Sequence, residues 1–273
     1  MTFNGMTIDL SSIEKLFASA AFFFYAIFKM NWHVGTSGWS YGGWRGLFYP
    51  EDLPTSEWLA FYARHFTTVE INMTFYRFPR PETLIRWAEA TPENFTFSLK
   101  ANRRITHLKK LREVQGDLRY MYILAQSLGK KLGCLLFQLP PSLHLDLQLL
   151  EDFLQQLEPR FHNVIEFRHP SWHTEAVYER LREHKAIFCL VSSRQVPPTV
   201  VATNPTVYGR FHGLTSGYRY FYQEAELKEW AANLTQLQAE DYFIYFNNDY
   251  QAHAVDNARR LRELLLSQSQ RAD

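Results

Sequence analysis

The sequence predicts a single-domain α/β fold, a TIM-like (β/α)8 barrel. Eight short apolar runs rich in β-branched residues recur along the chain, and stretches with a helical repeat of apolar residues separate most of them. Strands that alternate with helices form parallel βαβ units, and eight such units close into a barrel. The predicted strands are residues 33–37, 68–72, 95–100, 133–139, 164–168, 187–192, 207–212 and 242–248.

The size and charge of the chain agree with this fold. The predicted barrel domain, residues 32–268, is close to the roughly 250 residues typical of one barrel. Hydrophobic residues make up 46% of the chain and can fill a large core. Because the formal net charge is only +1, no whole-molecule field attracts nucleic acid or an anionic membrane. Any electrostatic preference for a partner must be local.

Residues 1–31 precede the barrel pattern and form a predicted N-terminal extension. Within it, residues 16–28 are uncharged and largely apolar, but a membrane-spanning helix needs about 20 residues. The flanks of this run also lack the basic stretch and cleavage site of a secretory signal. We therefore expect no transmembrane segment. Two interpretations remain open: a start codon assigned upstream of Met30, and a peripheral membrane helix.

Between the predicted strands, apolar residues at three-to-four spacing predict helices that pack on the barrel. They lie in residues 58–66, 118–128, 147–157, 227–237 and 255–265. The sixth connection, residues 193–205, contains three prolines and is predicted to be a loop. Cys134 and Cys189 fall in predicted buried strands without metal-ligand spacing, which favours reduced core thiols in a cytoplasmic protein.

Polar side chains recur near the carboxyl ends of the predicted strands. Successive side chains in a strand alternate faces, so residues two apart share a face. A charged side chain that pointed outward from a strand would be buried under the surrounding helices. We therefore expect these residues to point inward and converge on the barrel mouth, where barrel ligands bind. They are Glu70, Asn72, Ser98, Lys100, Gln138, Glu166, Arg168, Arg210, His212, Tyr245 and Asn247. With His212 neutral their charge is positive, which suits an anionic or phosphate-bearing ligand.

The predicted loops at the mouth are rich in aromatic residues. Trp39, Tyr41 and Trp44 lie in the first βα loop, Tyr76 in the second and Trp172 in the fifth. Flat apolar faces beside a charged floor favour a sugar ring or an unstacked base. For Trp44 the alternative, a ring that only plugs the barrel end, stays equally open.

Six stretches of the sequence, in order, resemble the YecE-like family, the domain of unknown function 72. They are VGTSGWSYGGWRGLFYP, VEINMTFYRFP, LKANRRITH, LFQLPPS, IEFRHPSW and YFNNDYQAHAVDNA. The resemblance runs from about Trp32 to Leu266 and implies a TIM-like barrel, without an established reaction. The family has been described as related to sugar isomerases, and its barrel is similar to that of endonuclease IV; both are analogies of fold.

The resemblance also implies which positions form the site. Besides the strand-end and aromatic residues above, it adds Gly38, Phe75, His107, His169 and Asn248. Two departures stand out: Ser192 and Ser193 replace an acidic ending that many members have at strand six, and Ala252 and His253 replace a small turn. The missing acid weakens any mechanism that needs a third carboxylate.

The sequence lacks the motifs of several common chemistries, namely G-x-S-x-G, the Walker loop, G-x-G-x-x-G and H-E-x-x-H. A trinuclear zinc cluster of the endonuclease type needs more histidine and carboxylate ligands than the strand ends offer. We therefore predict no cofactor, and a metal stays open.

Two functions of different classes follow. The first is an enzyme, a hydrolase or isomerase, that acts on a sugar, sugar phosphate or nucleotide-like anion. Glu70, Lys100, Glu166 and His212 are its candidate catalytic residues, with the two carboxylates as general acid and base, and the remaining mouth residues bind substrate. The alternative for these charges is a set of structural ion pairs.

The second is a nucleic-acid-binding protein with an endonuclease-IV-like barrel, with or without phosphodiester cleavage. Its phosphate contacts would come from the cluster Arg103, Arg104, Lys109, Lys110 and Arg112. A position beside the mouth favours this function, whereas a position on the outer helices favours a solvated face. The sequence does not indicate an oligomeric state.

Overall fold

Eight parallel strands form a closed barrel in the computed structural model, which describes residues 2–3, 6–7 and 30–269. The strands are β1 (Asn31–Ser37), β2 (Thr68–Ile71), β3 (Thr96–Lys100), β4 (Leu132–Gln138), β5 (His162–Glu166), β6 (Ile187–Ser193), β7 (Thr206–Gly213) and β8 (Asp241–Phe246). Each strand pairs with the next along the chain, and β8 closes the barrel on β1, with Phe246 opposite Thr36. The predicted barrel is confirmed.

Helices connect most of the strands. They are α1 (Trp58–Tyr62), α2 (Met73–Tyr76), α3 (Pro81–Glu89), α4 (Gln115–Gln126), α5 (Leu147–Leu154), α6 (Glu175–Glu183), α7 (Glu224–Thr235) and α8 (His253–Ser269). Helix α5 shows why they form: Asp146 caps its first turn by accepting a hydrogen bond from the Leu149 amide, and Leu150 and Phe153 face the barrel. Residues 194–205, all described, form the predicted loop without a helix.

The barrel interior is a packed core. Cys134, Cys189 and Tyr208 are fully buried there with Tyr245, whose hydroxyl lies 2.6 Å from Thr68 Oγ1. Burial raises the pKa of both thiols, in agreement with their predicted role as core residues. These side chains fill the interior between the strands.

Two short strands, Thr2–Phe3 and Met6–Thr7, pair antiparallel in the N-terminal extension. The predicted apolar run at residues 16–28 lies outside the described residues. Within the described part of the chain, the helices are too short or too polar to cross a membrane.

Candidate functional site

A fully buried ion-pair network crosses the barrel below the mouth. The Arg210 guanidinium donates from Nη2 to Glu70 Oε1 at 2.7 Å and from Nη1 to Glu166 Oε2 at 2.6 Å. Both carboxylates have 0% exposure, and Arg210 has 1%. The arginine on β7 thus joins β2 to β5, and burial makes each of the three charges depend on its partners.

The Glu70 carboxylate accepts hydrogen bonds from three different side chains. Besides Arg210, it accepts hydrogen bonds from Ser37 Oγ at Oε1 and from Tyr208 Oη at Oε2, the latter at 2.5 Å. The Ser37 contact follows from strand register, because Ser37 stands opposite Glu70 in the β1–β2 pair. Glu70 is therefore held in a fixed position beneath the mouth.

Arg168 and His212 contact Glu166 on its side toward the mouth. Its Oε1 accepts from Arg168 Nη1 at 2.8 Å and lies 3.2 Å from His212 Nε2. Burial alone would raise the pKa of Glu166, but the charges of Arg210 and Arg168 outweigh burial and hold the pKa well below its usual range. Glu166 is thus ionised at neutral pH.

His212 links this network to β8. Asn247 Nδ2 lies 3.1 Å from His212 Nδ1, so an amide N–H donated to Nδ1 leaves the ring proton on Nε2, facing Glu166. Burial and the Arg210 charge lower the pKa of His212 to about 4. At pH 7 the imidazole is neutral.

A cleft of about 360 Å³ opens above this network, between the ends of β5, β7 and β8 and the loops after β6 and β7. Arg168, Arg194, His212, Asn247 and Tyr218 contribute to its walls. The residues that line it, all within the described part of the chain, include two arginines and neither aspartate nor glutamate. Its volume is that of a small-molecule site, and its charge favours an anion.

Lys100 ends β3 at the same end of the barrel. Its Nζ lies 4.4 Å from the centre of the Phe75 ring. Burial and the nearby Arg210 charge lower the pKa of Lys100 to about 8, although Glu166 and Glu70 oppose the shift. Among the described residues, Lys100 and Glu70 do not form one of the alternative structural ion pairs, and Arg210 pairs with Glu70 instead.

Of the residues that were predicted from the alternation of side chains along the strands, the structure places only some in the cleft. All five charged strand-end residues and His212 lie at one barrel end, and contacts join five of these six groups. Only Arg168 and His212 line the cleft, however, while Glu70 and Glu166 lie beneath it without exposed surface. Of the predicted pocket residues Glu70, Lys100, Glu166, Arg168 and His212, the last two named line this cleft, and the carboxylates hold the cations beneath it.

Three predicted polar residues lie around this centre. His107 is half-buried in a π-helical turn after β3, with Nδ1 2.8 Å from Thr106 Oγ1, and burial and the Lys100 charge lower its pKa. Asn72 follows β2, and its buried Oδ1 has no hydrogen-bond partner among the described residues. Gln138 ends β4 opposite Glu166.

The predicted aromatic residues divide into two groups. Trp44 and Trp172 are fully buried, and their indole N–H groups donate to the carbonyls of Asp249 and Leu143, each at 2.7 Å. These two rings have no exposed surface for a ligand. For Trp44 this agrees with the alternative of a ring that plugs the barrel end, and for Trp172 it corrects the expectation of ligand contact. Large flat side chains fill the space between loops and barrel.

The other aromatic residues remain accessible. Tyr76 is 69% exposed, and Trp39 is half-buried against the edge of Trp87. Tyr41 is half-buried and donates its hydroxyl to the Ser37 carbonyl, which ties the first βα loop to the buried network. Asn248, in contrast, is fully buried and donates to the Tyr220 carbonyl at 2.8 Å, so it holds a loop.

The predicted basic cluster lies in the third βα loop, on the mouth side of the barrel, but much of its charge is neutralised. Arg104 and Lys109 both pair with Asp117, at 3.0 and 2.9 Å, and Arg112 lies 3.6 Å from Asp146. These pairs leave less free charge for phosphates than the sequence suggests.

Sequence reasoning missed Ser37, Tyr208, Arg194 and Tyr218. Tyr208 shares strand parity with Arg210 and His212, so the same rule that found those residues includes it. Arg194 and Tyr218 lie in loops, where no period marks a residue as facing the cleft. Among the described residues, no group of three His, Cys, Asp or Glu side chains is arranged to hold a metal ion.

Comparisons with known proteins agree with the fold. The model of a family described as a protein of unknown function, DUF72, matches residues 33–273. UPF0759 protein YunF of Bacillus subtilis (strain 168) is 27% identical over 270 residues, which cover 85% of this chain and 94% of YunF. UPF0759 protein YecE of Escherichia coli (strain K12) is 31% identical over 149 residues, which cover 54% of this chain and 52% of YecE.

Solved structures of DUF72 family proteins have a similar fold. A DUF72 family protein from Thermotoga maritima MSB8 has a TM-score of 0.79 and 30% identity, covering 86% of this chain and 98% of that protein. A DUF72 family protein from Enterococcus faecalis V583 has a TM-score of 0.74 at 21% identity, covering 86% of this chain and 95% of that protein. The family model spans the whole barrel apart from the first residues of β1, and this chain therefore belongs to the DUF72 family.

Proposed function

We propose that this protein is an enzyme acting on a small anionic, sugar-like ligand, such as a sugar phosphate, by acid/base chemistry at the barrel mouth. The observation that carries the proposal is the composition of the cleft. Two arginines line it without any carboxylate, and the neutral His212 and the amide of Asn247 lie at its inner end. Guanidinium groups bind phosphate or carboxylate, and amides and imidazoles bind hydroxyls.

The buried network supports this role by fixing the arginine nearest the chemistry. Arg168 is 17% exposed and is held by a carboxylate with no exposure. An anion-binding group that is oriented before the ligand arrives loses little side-chain entropy on binding. In this proposal Glu70 and Glu166 position cations, and His212, which lines the cleft, exchanges protons with the ligand.

A bound anion also changes the chemistry of His212. Burial and the positive charge of Arg210 keep its pKa near 4. A phosphate beside Arg168 adds negative charge nearby, which opposes the guanidinium charges and raises that pKa. His212 thus gains basicity when the ligand is in place, and it acts as a general base once a ligand proton replaces the Asn247 amide at its Nδ1 lone pair.

Binding measurements with a matched pair of variants test the proposal. Isothermal titration calorimetry compares ribose 5-phosphate with ribose for the wild type, Arg194→Gln and Arg64→Gln. Arg194 is exposed on the cleft wall, and Arg64 is exposed near α1, away from the cleft. We expect tighter binding of the phosphate and a loss of about tenfold for Arg194→Gln alone, the value of one charge-assisted hydrogen bond.

Equal affinities for both sugars, or equal losses in the two variants, would contradict the proposal. Nucleic-acid binding is the second candidate function, and calorimetry with a matched pair of variants tests it as well. A single-stranded oligonucleotide that binds more weakly when Arg103 and Lys110 are replaced, but not when Arg194 is, would favour that function.

A further inference from the structure

Lys100 has the surroundings of a reactive amine. Its ammonium has no hydrogen-bond or ion-pair partner among the described residues, and its neighbour is the face of the Phe75 ring. A charged lysine in a folded protein usually keeps water or a carboxylate as a partner. Here the nearest carboxylates, Glu70 and Glu166, are bound to arginines.

The structure also holds this lysine in place. Thr74 Oγ1 donates to the Lys100 carbonyl at 2.6 Å, and Asn102 Nδ2 donates to the Thr74 carbonyl at 2.9 Å. These bonds tie the loop that carries Phe75 to the end of β3. These side-chain hydrogen bonds to carbonyl groups thus fix the main chain that carries Phe75 beside the main chain that carries Lys100.

We propose that Lys100 is a nucleophile that forms an imine with the carbonyl group of an open-chain aldose or ketose. Desolvation and neighbouring cations favour the neutral amine of a lysine, which is the nucleophilic form. The inference rests on the proposed function, which gives the substrate class as a sugar with an anionic group. It adds that this substrate has a free aldehyde or ketone group.

The step is balanced without an external oxidant or reductant. The lone pair of the neutral Nζ attacks the carbonyl carbon, and one proton passes from the nitrogen to the former carbonyl oxygen, which gives a neutral carbinolamine. The hydroxyl group then takes up one proton from water, and the nitrogen lone pair expels it as water, which leaves a protonated imine. The imine withdraws electrons from the adjacent carbon and makes its C–H bond more acidic, as isomerisation of a sugar requires.

The lowered pKa of Lys100 determines how much faster this amine reacts than an ordinary lysine. At pH 7 about a tenth of amines with a pKa of about 8 are neutral, against about one in 2,500 at the ordinary value of 10.4. A less basic amine is also a weaker nucleophile, so the net gain in rate is smaller than this ratio. We expect Lys100 to react about tenfold faster than an exposed lysine, or more.

Reductive trapping of the full-length protein tests the proposal. Glyceraldehyde 3-phosphate and sodium cyanoborohydride convert an imine to a stable secondary amine, which peptide mass spectrometry assigns to a residue. Lys130, which is exposed, is the internal reference, and Lys100→Arg keeps the charge but removes the nucleophile. We expect Lys100 to be modified at least about tenfold faster than Lys130, with a rate that rises with pH and levels off near pH 8–9.

Modification of Lys100 no faster than Lys130, or a midpoint above pH 10, would overturn the proposal. Phosphate-free glyceraldehyde separates it from the proposed function. Fast labelling of Lys100 by both aldehydes at equal rates supports the nucleophile and contradicts the anion site. Slow labelling of Lys100 combined with tight, Arg194-dependent binding of ribose 5-phosphate overturns the nucleophile and leaves the anion site standing.

Discussion

Replacing Arg210 with methionine removes the cation shared by Glu70 and Glu166. Both carboxylates have 0% exposure and lie 2.6–2.7 Å from the guanidinium. Methionine keeps much of the side-chain length but leaves Glu70 without any cation, while Glu166 retains Arg168 at 2.8 Å. Breaking a buried ion pair from one side costs about 3–5 kcal/mol. For a domain of this size that corresponds to a fall in Tm of about 6–20 °C.

The loss should depend on pH. The native pKa of Glu166 lies well below its usual range, so its ion pairs stabilise the fold above the unfolded-state pKa of about 4.3. That stabilisation disappears as the pH falls through the native pKa. The difference between wild type and Arg210→Met is therefore largest above about pH 5 and shrinks below about pH 4.

Urea unfolding followed by circular dichroism at pH 7 and pH 3 measures both quantities. A second substitution supplies the control: Glu70→Gln in the Arg210→Met protein removes the unpaired carboxylate and should recover at least half of the loss. A single variant within about 1 kcal/mol of wild type at pH 7, or a loss independent of pH, would refute the role of this network.

Three further outcomes follow from the same contacts. Lys100→Met should raise the Tm at pH 7, because the lowered native pKa of Lys100 means that its charge destabilises the fold below pH 8; the gain should vanish by about pH 10–11, where Lys100 is neutral in both states. Tyr208→Phe removes a donor to buried Glu70 and should cost about 1.5–3 kcal/mol in urea unfolding. Gly213→Ala places a Cβ 2.2 Å from the Gly217 carbonyl oxygen at a φ of +84°, so it should lower the Tm and weaken ribose 5-phosphate binding in calorimetry.

The period of two along a strand explains why the sequence located the site. Glu166 and Arg168, like Arg210 and His212, share a face, and the barrel brings their strand ends together. The same rule does not predict how deeply a side chain is buried within the barrel. Glu70 and Glu166 are buried because the long side chain of Arg210 extends across the closed barrel and pairs with both, and the order of the strands does not reveal this contact.

Loop residues were less predictable for a different reason. Trp44 and Trp172 are aromatic residues in mouth loops, but composition does not say which face of a ring packs against the barrel. Arg194 and Tyr218 line the cleft from loops without a regular period. Their positions follow from how the loops after β6 and β7 fold back, which includes the positive φ of Gly213.

A crystal structure of the protein grown with ribose 5-phosphate tests the central claim most directly. The account predicts the phosphate within hydrogen-bonding distance of Arg168 or Arg194, with the sugar directed toward His212 and Asn247. A phosphate bound instead at Arg103 and Lys110, or a cleft that stays free of ligand at saturating concentration, would contradict it.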